Sequence, residues 1–367
     1  MRVRAVLFIG FLLGLTQAGL PAPLPRYTIQ AVPIDGGVLN NRGWVAGAIP
    51  VKRYWKSSFG HVLPERHLAL WQSGLVRDLG LLSHNHEVSA TAMNDRGEIV
   101  GVGGGENGAS PDLFLWNGHQ MICLRKAAQG TQWVNAINNP GEVVGTVTVR
   151  GVQKGFVYRD GHLREVDDPL QGTMCTITGI NDDGDMVGLA ADPHTKGWEG
   201  KPVVRLIEWS HGKAHVIPTP ADFELGPYIN PMINRRGDIV FVGGQISDPR
   251  REHAYVCHSG KLAEVGPVSG YPLIEIYGIN DNGDVVGGCG RPNDLISGKA
   301  APAAAIQQGP LFLWANGKVT PLKNLAAMNG DIVQLYGINN HGQIIGEGRL
   351  HGKREMFLMT PVAATTK

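Results

Sequence analysis

Met93-Asn94-Asp95-Arg96-Gly97-Glu98-Ile99-Val100-Gly101 is the stretch on which the reading of this chain turns. It joins the end of one strand, a tight turn and the start of the next. Asn side chains hydrogen-bond to nearby backbone and favour a turn entrance, and Gly supplies the positive φ that lets the chain leave it. The apolar run that follows, bounded by Gly, reads as a strand. The same pattern begins at Leu39-Asn40, Ile137-Asn138, Ile180-Asn181, Ile233-Asn234, Ile279-Asn280 and Ile338-Asn339, which makes seven copies. Successive asparagines stand 43 to 59 residues apart, the range in which self-similarity signals propellers or solenoids.

Working outward from Asn94, Ser89 to Met93 reads as one strand and Glu98 to Val102 as a second. Leu113 to Trp116 is a third, and Gln120 to Leu124 a fourth behind the Asn117-Gly118 turn. The third strand recurs as Leu68 to Trp71, Phe156 to Tyr158, Leu206 to Trp209, His253 to Cys257, Leu311 to Trp314 and Met356 to Met359. Pro140 departs from the common turn and should push Asn139 out of the α region, towards another turn type. The last copy has only three strands, Val333 to Ile338, Gln343 to Gly346 and Glu355 to Met359. Tyr27 to Pro33 alternates like a strand and has no partner of its own, so it is expected beside Glu355 to Met359, closing the ring and protecting its edges. The fold expected is all-β, a single seven-bladed β-propeller of four-stranded blades. The runner-up, an open β-solenoid, has no use for a strand donated across the ends.

The repeat resembles the HAF family of predicted bacterial extracellular repeat proteins. His253-Ala254-Tyr255, Asp78-Leu79-Gly80 and Ala136-Ile137-Asn138-Asn139-Pro140-Gly141-Glu142-Val143-Val144-Gly145 carry the likeness. It covers nearly the whole mature chain; the fifth copy departs, with Phe241 where the others place Gly. The resemblance implies export and a propeller-like fold, with no family catalytic residues to carry over.

Composition agrees with many short strands: Gly numbers 51 and charged residues are 18%. Formal net charge is +1, with no basic stripe or run of one sign, which argues against nucleic acid and anionic membrane as partners. Arg2 and Arg4 precede the apolar stretch Ala5 to Leu15, and Thr16-Gln17-Ala18 offers a small-residue cleavage site. Residues 1–18 therefore read as a signal peptide, 19–25 as a linker, 26–361 as the propeller and 362–367 as a polar tail. The apolar stretch falls short of the ~20 residues that span a bilayer, and no later transmembrane segment is evident. A secreted or periplasmic monomer is expected. Cys123, Cys175, Cys257 and Cys289 fall in predicted strands of different repeats. They are expected free and buried, with Cys257 and Cys289 the one pair left open.

In a propeller the turns between strands one and two, and three and four, share one face. The longer connections share the other. Here those are Pro50 to Arg66, Gly103 to Pro111, Ala190 to Pro202, Gly244 to Glu252 and Gly290 to Gly309. Function concentrates on variable loops, so a site is expected on that face, near the mouth of the axial channel. Candidates are His84 and His86, a His-x-His pair beside Glu87, and Asp222 with Glu224, an acid pair of the kind used in glycoside chemistry. Trp133, Tyr228 and Tyr271 are candidate aromatic platforms, and His194, Trp198 and Glu199 share one long loop. Each has a plainer reading as solvated loop or packing. No third and fourth metal ligand accompanies the histidines. Asn181-Asp182-Asp183-Gly184-Asp185 and Asn280-Asp281-Asn282-Gly283-Asp284 resemble a calcium loop but lack its bidentate Glu, so turn chemistry explains them. No cofactor, metal or catalytic motif is expected. The reading is an exported binding or scaffold module for a carbohydrate, peptide or protein. The alternative is a polysaccharide or glycoside lyase or hydrolase working at the channel mouth.

Overall fold

The computed structural model describes residues 26–362 apart from 58–59, 84, 106–111, 125–130, 198–199, 222, 226–228, 246–247, 267, 269, 293–305 and 326–330. It is a seven-bladed β-propeller. The blades span residues 35–80, 85–123, 131–165, 175–217, 223–264 and 273–321, and the seventh combines 332–362 with 26–32. Within each blade the strands pair in antiparallel sequence order, and the ends of all seven first strands converge on one axial cavity.

Among the described residues no apolar cluster fills the centre of the ring. Seven apolar clusters instead fill the seven blade-to-blade interfaces. The paired apolar residues after each turn explain this. Successive side chains of a strand point to opposite faces, so Val143 packs towards blade two and Val144 towards blade four. Ile99 and Val100, and Val285 and Val286, divide in the same way between their two neighbours. A strand covered on both faces reads as consecutive rather than alternating apolar residues. The third-strand residues Trp71, Trp116, Tyr158, Trp209 and Trp314, with Cys257 and Met359 in their place, are all buried in these interfaces.

The ring closes as the sequence predicts. Arg26–Val32 pairs antiparallel with Lys353–Val362, from Arg26 opposite Val362 to Val32 opposite Met356. Tyr27 is buried against blade six and Val32 against blade one, so the donated strand serves both neighbours of blade seven. The last strand runs to Val362, one residue into the segment expected as tail.

Blade five shows what the Gly of the repeat is for. At Gly145 a Cβ would stand 2.0 Å from the Trp133 carbonyl and 2.7 Å from the Phe156 ring; at Gly101 it would meet the Ser89 carbonyl at 2.1 Å. The inner strand crosses too closely for any side chain. Phe241 occupies this position in blade five, and there the inner strand is split into Phe223–Glu224 and Met232–Ile233.

Two expectations are corrected. Pro50 to Arg66 and most of Ala190 to Pro202 are not loops: the second and third strands continue as Val45–Lys56 and Val62–Gln72 in blade one, pairing out to Lys56 opposite Val62, and as Met186–Lys196 and Pro202–Ser210 in blade four, pairing out to Lys196 opposite Pro202. Pro140 does not change its turn. Asn138 N–H still donates to the Glu142 carbonyl and Gly141 N–H to the Asn138 carbonyl, as in the other copies. All four cysteines are free, so Cys257 and Cys289 do not pair.

Candidate functional site

The turn face is built first. Each turn Asn is buried. In blade two the Asn94 Oδ1 accepts from the N–H groups of Arg96 and Glu98, while Nδ2 donates to the Glu98 carboxylate. The same Nδ2 also donates across the interface to the Asn138 carbonyl. This link repeats at every interface, from Asn40 to Asn94 and so on to Asn339, which returns to Asn40, at 2.9 to 3.4 Å. The result is a closed ring of seven side-chain hydrogen bonds. A second ring runs outside it: the N–H of Asn41, Asp95, Asn139, Arg235, Asp281 and Asn340 each donates to the next blade's residue. It is interrupted between Asp182 and Arg235, because Arg has no acceptor to offer. The axial cavity at this face is about 210 Å³ and is lined by these residues and the apolar ones before them. Asp95, Asp182 and Asp281 are occupied as acceptors in the outer ring.

The opposite, loop-rich end of the channel is lined differently. Five residues before the turn Asn of blades two, three, four, six and seven, the inner strands carry Ser89, Trp133, Thr176, Glu275 and Gln334. Three before it they carry Thr91, Asn135, Thr178, Tyr277 and Tyr336, each the extra residue of a β-bulge. Bulges re-aim side chains and are common beside sites. An inner strand is flanked by neighbouring blades on both faces and by the second strand on one edge. A side chain exposed on it therefore faces the channel or its mouth. Asn135 and Thr178 reach across to the Ile177 and Pro231 carbonyls, both at 2.6 Å.

The aromatic members stand out. Among the described residues, Trp133 (51% exposed) and Tyr336 (39%) are the only exposed large apolar side chains on inner strands. The Tyr336 hydroxyl donates to Glu347 at 3.2 Å and the Tyr277 hydroxyl to Glu275 at 2.6 Å. Burial, then the neighbouring carboxylate, pushes both phenols above their ordinary range, so they remain donors. Hydrogen bonds from Arg354 hold Glu347 below the usual carboxylate range. Between these blades, at blades one and two, lies a recess of about 270 Å³ walled by Gly36, Gly37, Gly47, Ala48, Ser89 and Ala90. The ion pair Arg66–Asp35, at 2.6 Å, stands at its edge.

Of the residues singled out from sequence, His84, Trp198, Asp222 and Tyr228, with Glu199, lie outside the described residues. His86 is a fastening: its ring stacks on Trp55 at 4.7 Å, and Nδ1 lies 3.4 Å from Oε1 of the buried Glu65, tying the long hairpin of blade one to blade two. Glu224 stands in blade five against Gly197, where a Cβ would come 2.4 Å from Oε1. Tyr271 lies under the Arg291 guanidinium. Of the described candidates, Trp133 and Glu87 are exposed on inner strands and so face the channel or its mouth. No group of three or more His, Cys, Asp or Glu among the described residues could hold a metal ion. Sequence reasoning missed Tyr336, Tyr277 and Glu275. The signal was there: counting back three and five from the turn Asn of blades two, three, four, six and seven finds polar or aromatic residues that differ from copy to copy.

No family model and no curated protein matches this chain. Solved structures do. The β-propeller domain of the Trilobed protease from Pyrococcus furiosus matches with a TM-score of 0.56 at 10% identity, covering 93% of this chain and 99% of that one. YCF48 bound to D1 peptide matches with a TM-score of 0.52 at 10% identity, covering 92% and 96%. At such identities the likeness is one of fold, and the fold is the β-propeller.

Proposed function

We propose that this protein is an exported binding module that takes an extracytoplasmic ligand at the loop-face mouth of its axial channel. The observation that carries this reading is the contrast between the two ends of the channel. At the turn face every copy repeats the same Asn, and its hydrogen bonds are spent on the ring. At the loop face the copies diverge into hydroxyls, amides, carboxylates and exposed rings. A few convergent polar groups on a rigid concave scaffold are what ligand sites are made of. The HAF-like repeat and the apolar leader of residues 1–18 support export.

Two experiments test it. Cells producing the full chain are fractionated and the protein's N-terminus is sequenced. Export with cleavage after Ala18 is expected, and a full-length cytoplasmic product would refute that part. The mature protein, immobilised, is then offered cell-wall polysaccharides, peptide libraries and secreted proteins. Capture of one class, lost in a Ser89→Arg/Thr91→Arg variant that fills the mouth, is expected. Capture that survives this blockage would place the ligand elsewhere.

A further inference from the structure

Resting on that reading, we propose that the ligand is a neutral linear oligosaccharide, laid across the loop face from blade three to blade seven and stacked on Trp133 and Tyr336. Three observations point to it. First, the two rings stand three blades apart one way and four the other, the widest separation a ring of seven allows. A ligand touching both must cross the channel mouth. Second, the hairpins between strands two and three are short at these two blades, closing in two-residue turns at Arg150-Gly151 and His351-Gly352 with no break in register. In blade one the same hairpin extends to Lys56 and Val62, and in blade four to Lys196 and Pro202. The face is therefore low where the aromatic rings are bare, and an extended chain has an entrance and an exit. Third, the recess between the rings suits one sugar unit. Its roughly 270 Å³ is just under the ~300–1,000 Å³ of pockets that enclose whole small molecules, a size for a single unit of a longer chain. Its Gly and Ala walls let a ring approach the backbone.

The polar groups select a polyol. Glu275 and Glu347 accept hydrogen bonds, the Tyr277 and Tyr336 phenol oxygens, whose own protons go to those carboxylates, accept as well, and the second N–H of the Gln334 amide is a donor. A sugar hydroxyl can give one to each acceptor and accept one from Gln334. Against the two carboxylates only Arg354 supplies a countercharge in this group, so a polyanionic glycan would be repelled. An exposed aromatic face with a polar rim also suits the apolar face and polar edge of a pyranose.

The test uses the mature full-length protein and soluble cellohexaose, maltohexaose, mannohexaose and chitohexaose, followed by titration calorimetry. At least one hexaose is expected to bind, with the matching trisaccharide weaker because it spans one ring only. Trp133→Ala and Tyr336→Ala should each weaken binding about tenfold, Tyr336→Phe by much less, and Val216→Ala, an exposed residue on an outer strand, not at all. All variants should melt like the parent, since the altered side chains are exposed. Binding that ignores both ring deletions overturns the inference. So does capture of a displayed peptide, but of no hexaose, at a surface that Trp133→Ala abolishes; that result leaves the binding-module reading standing. Failure of every sugar, peptide and protein probe would end both.

Discussion

Asn94→Asp is the sharpest test of the ring. The replacement keeps the shape and the Oδ1 that accepts from Arg96 and Glu98, and removes only the Nδ2 donor. The new oxygen faces the Asn138 carbonyl at 3.0 Å and the Glu98 carboxylate at 2.6 Å. Two carboxylates so close cannot both ionise cheaply, so the pair retains a proton in the folded state at pH values where the unfolded chain has lost it. A raised folded pKa means that stability falls as pH climbs above the unfolded value of about 3.9, by ~1.4 kcal/mol per unit until the folded value is reached. A shared proton held to about pH 6.5 gives a loss of about 3–4 kcal/mol at neutrality. Near pH 4 the protonated side chain donates to Asn138 again, and the loss shrinks below about 1 kcal/mol. Asn40→Asp is the control, because Trp44 stands where Glu98 stands. Only the carbonyl contact is spoiled there, a loss of about 1–2 kcal/mol at neutrality that acid also relieves, so its change with pH is smaller than at Asn94. Urea titrations followed by Trp fluorescence at neutral and acid pH measure both. Equal losses at the two sites, or an Asn94→Asp loss indifferent to pH, would refute the reasoning.

Three further outcomes follow from the packing. Deleting residues 26–32 removes the buried Tyr27 and Val32, worth about 1.5–3 kcal/mol each, and bares the edge of Lys353–Val362; light scattering should show self-association, and a stable monomer would contradict the closure. Gly145→Ala should cost about 3 kcal/mol or more by thermal melting, because its Cβ would lie 2.0 Å from a carbonyl. Gly244→Ala, with nothing nearer than 3.9 Å, should be silent. In the native protein Cys175 and Cys289 should resist thiol reagents at pH 8, since burial pushes them up to about 12 and about 11. The half-buried Cys123 should react first, and rapid labelling of Cys175 without unfolding would count against its burial.

Much of the architecture is legible in the chain because a repeat states the same local physics seven times. The Asn and Gly of each turn announce a hairpin, the doubled apolar residues announce a strand covered on both faces, and the missing last strand points to Tyr27 to Pro33. The long hairpin of blade one was not legible. Pro50, Lys52, Arg53 and Lys56 read as loop chemistry, and only pairing with Val62 to Arg66 makes a ladder of them. The site was legible in outline, as the loop-rich face, and not in its residues. Histidines and acids in connections draw attention, whereas Tyr336 and Glu275 sit inside strands that periodicity assigns to the scaffold. The channel exposes them because a propeller's first strand has one edge that no other strand covers.

The sequence by itself determined the unit, its count and its closure, since these depend on contacts within a turn and on alternation along a strand. What the turn asparagines do beyond their own turn was decided only by the tertiary structure. A carboxamide has two ends: Oδ1 is used locally, in a geometry that four residues define, but Nδ2 needs an acceptor that arrives only when the neighbouring blade docks. The same is true of the channel wall. Trp133 and Tyr336 lie far apart along the chain, and only the curvature of the closed ring sets them on opposite sides of one opening.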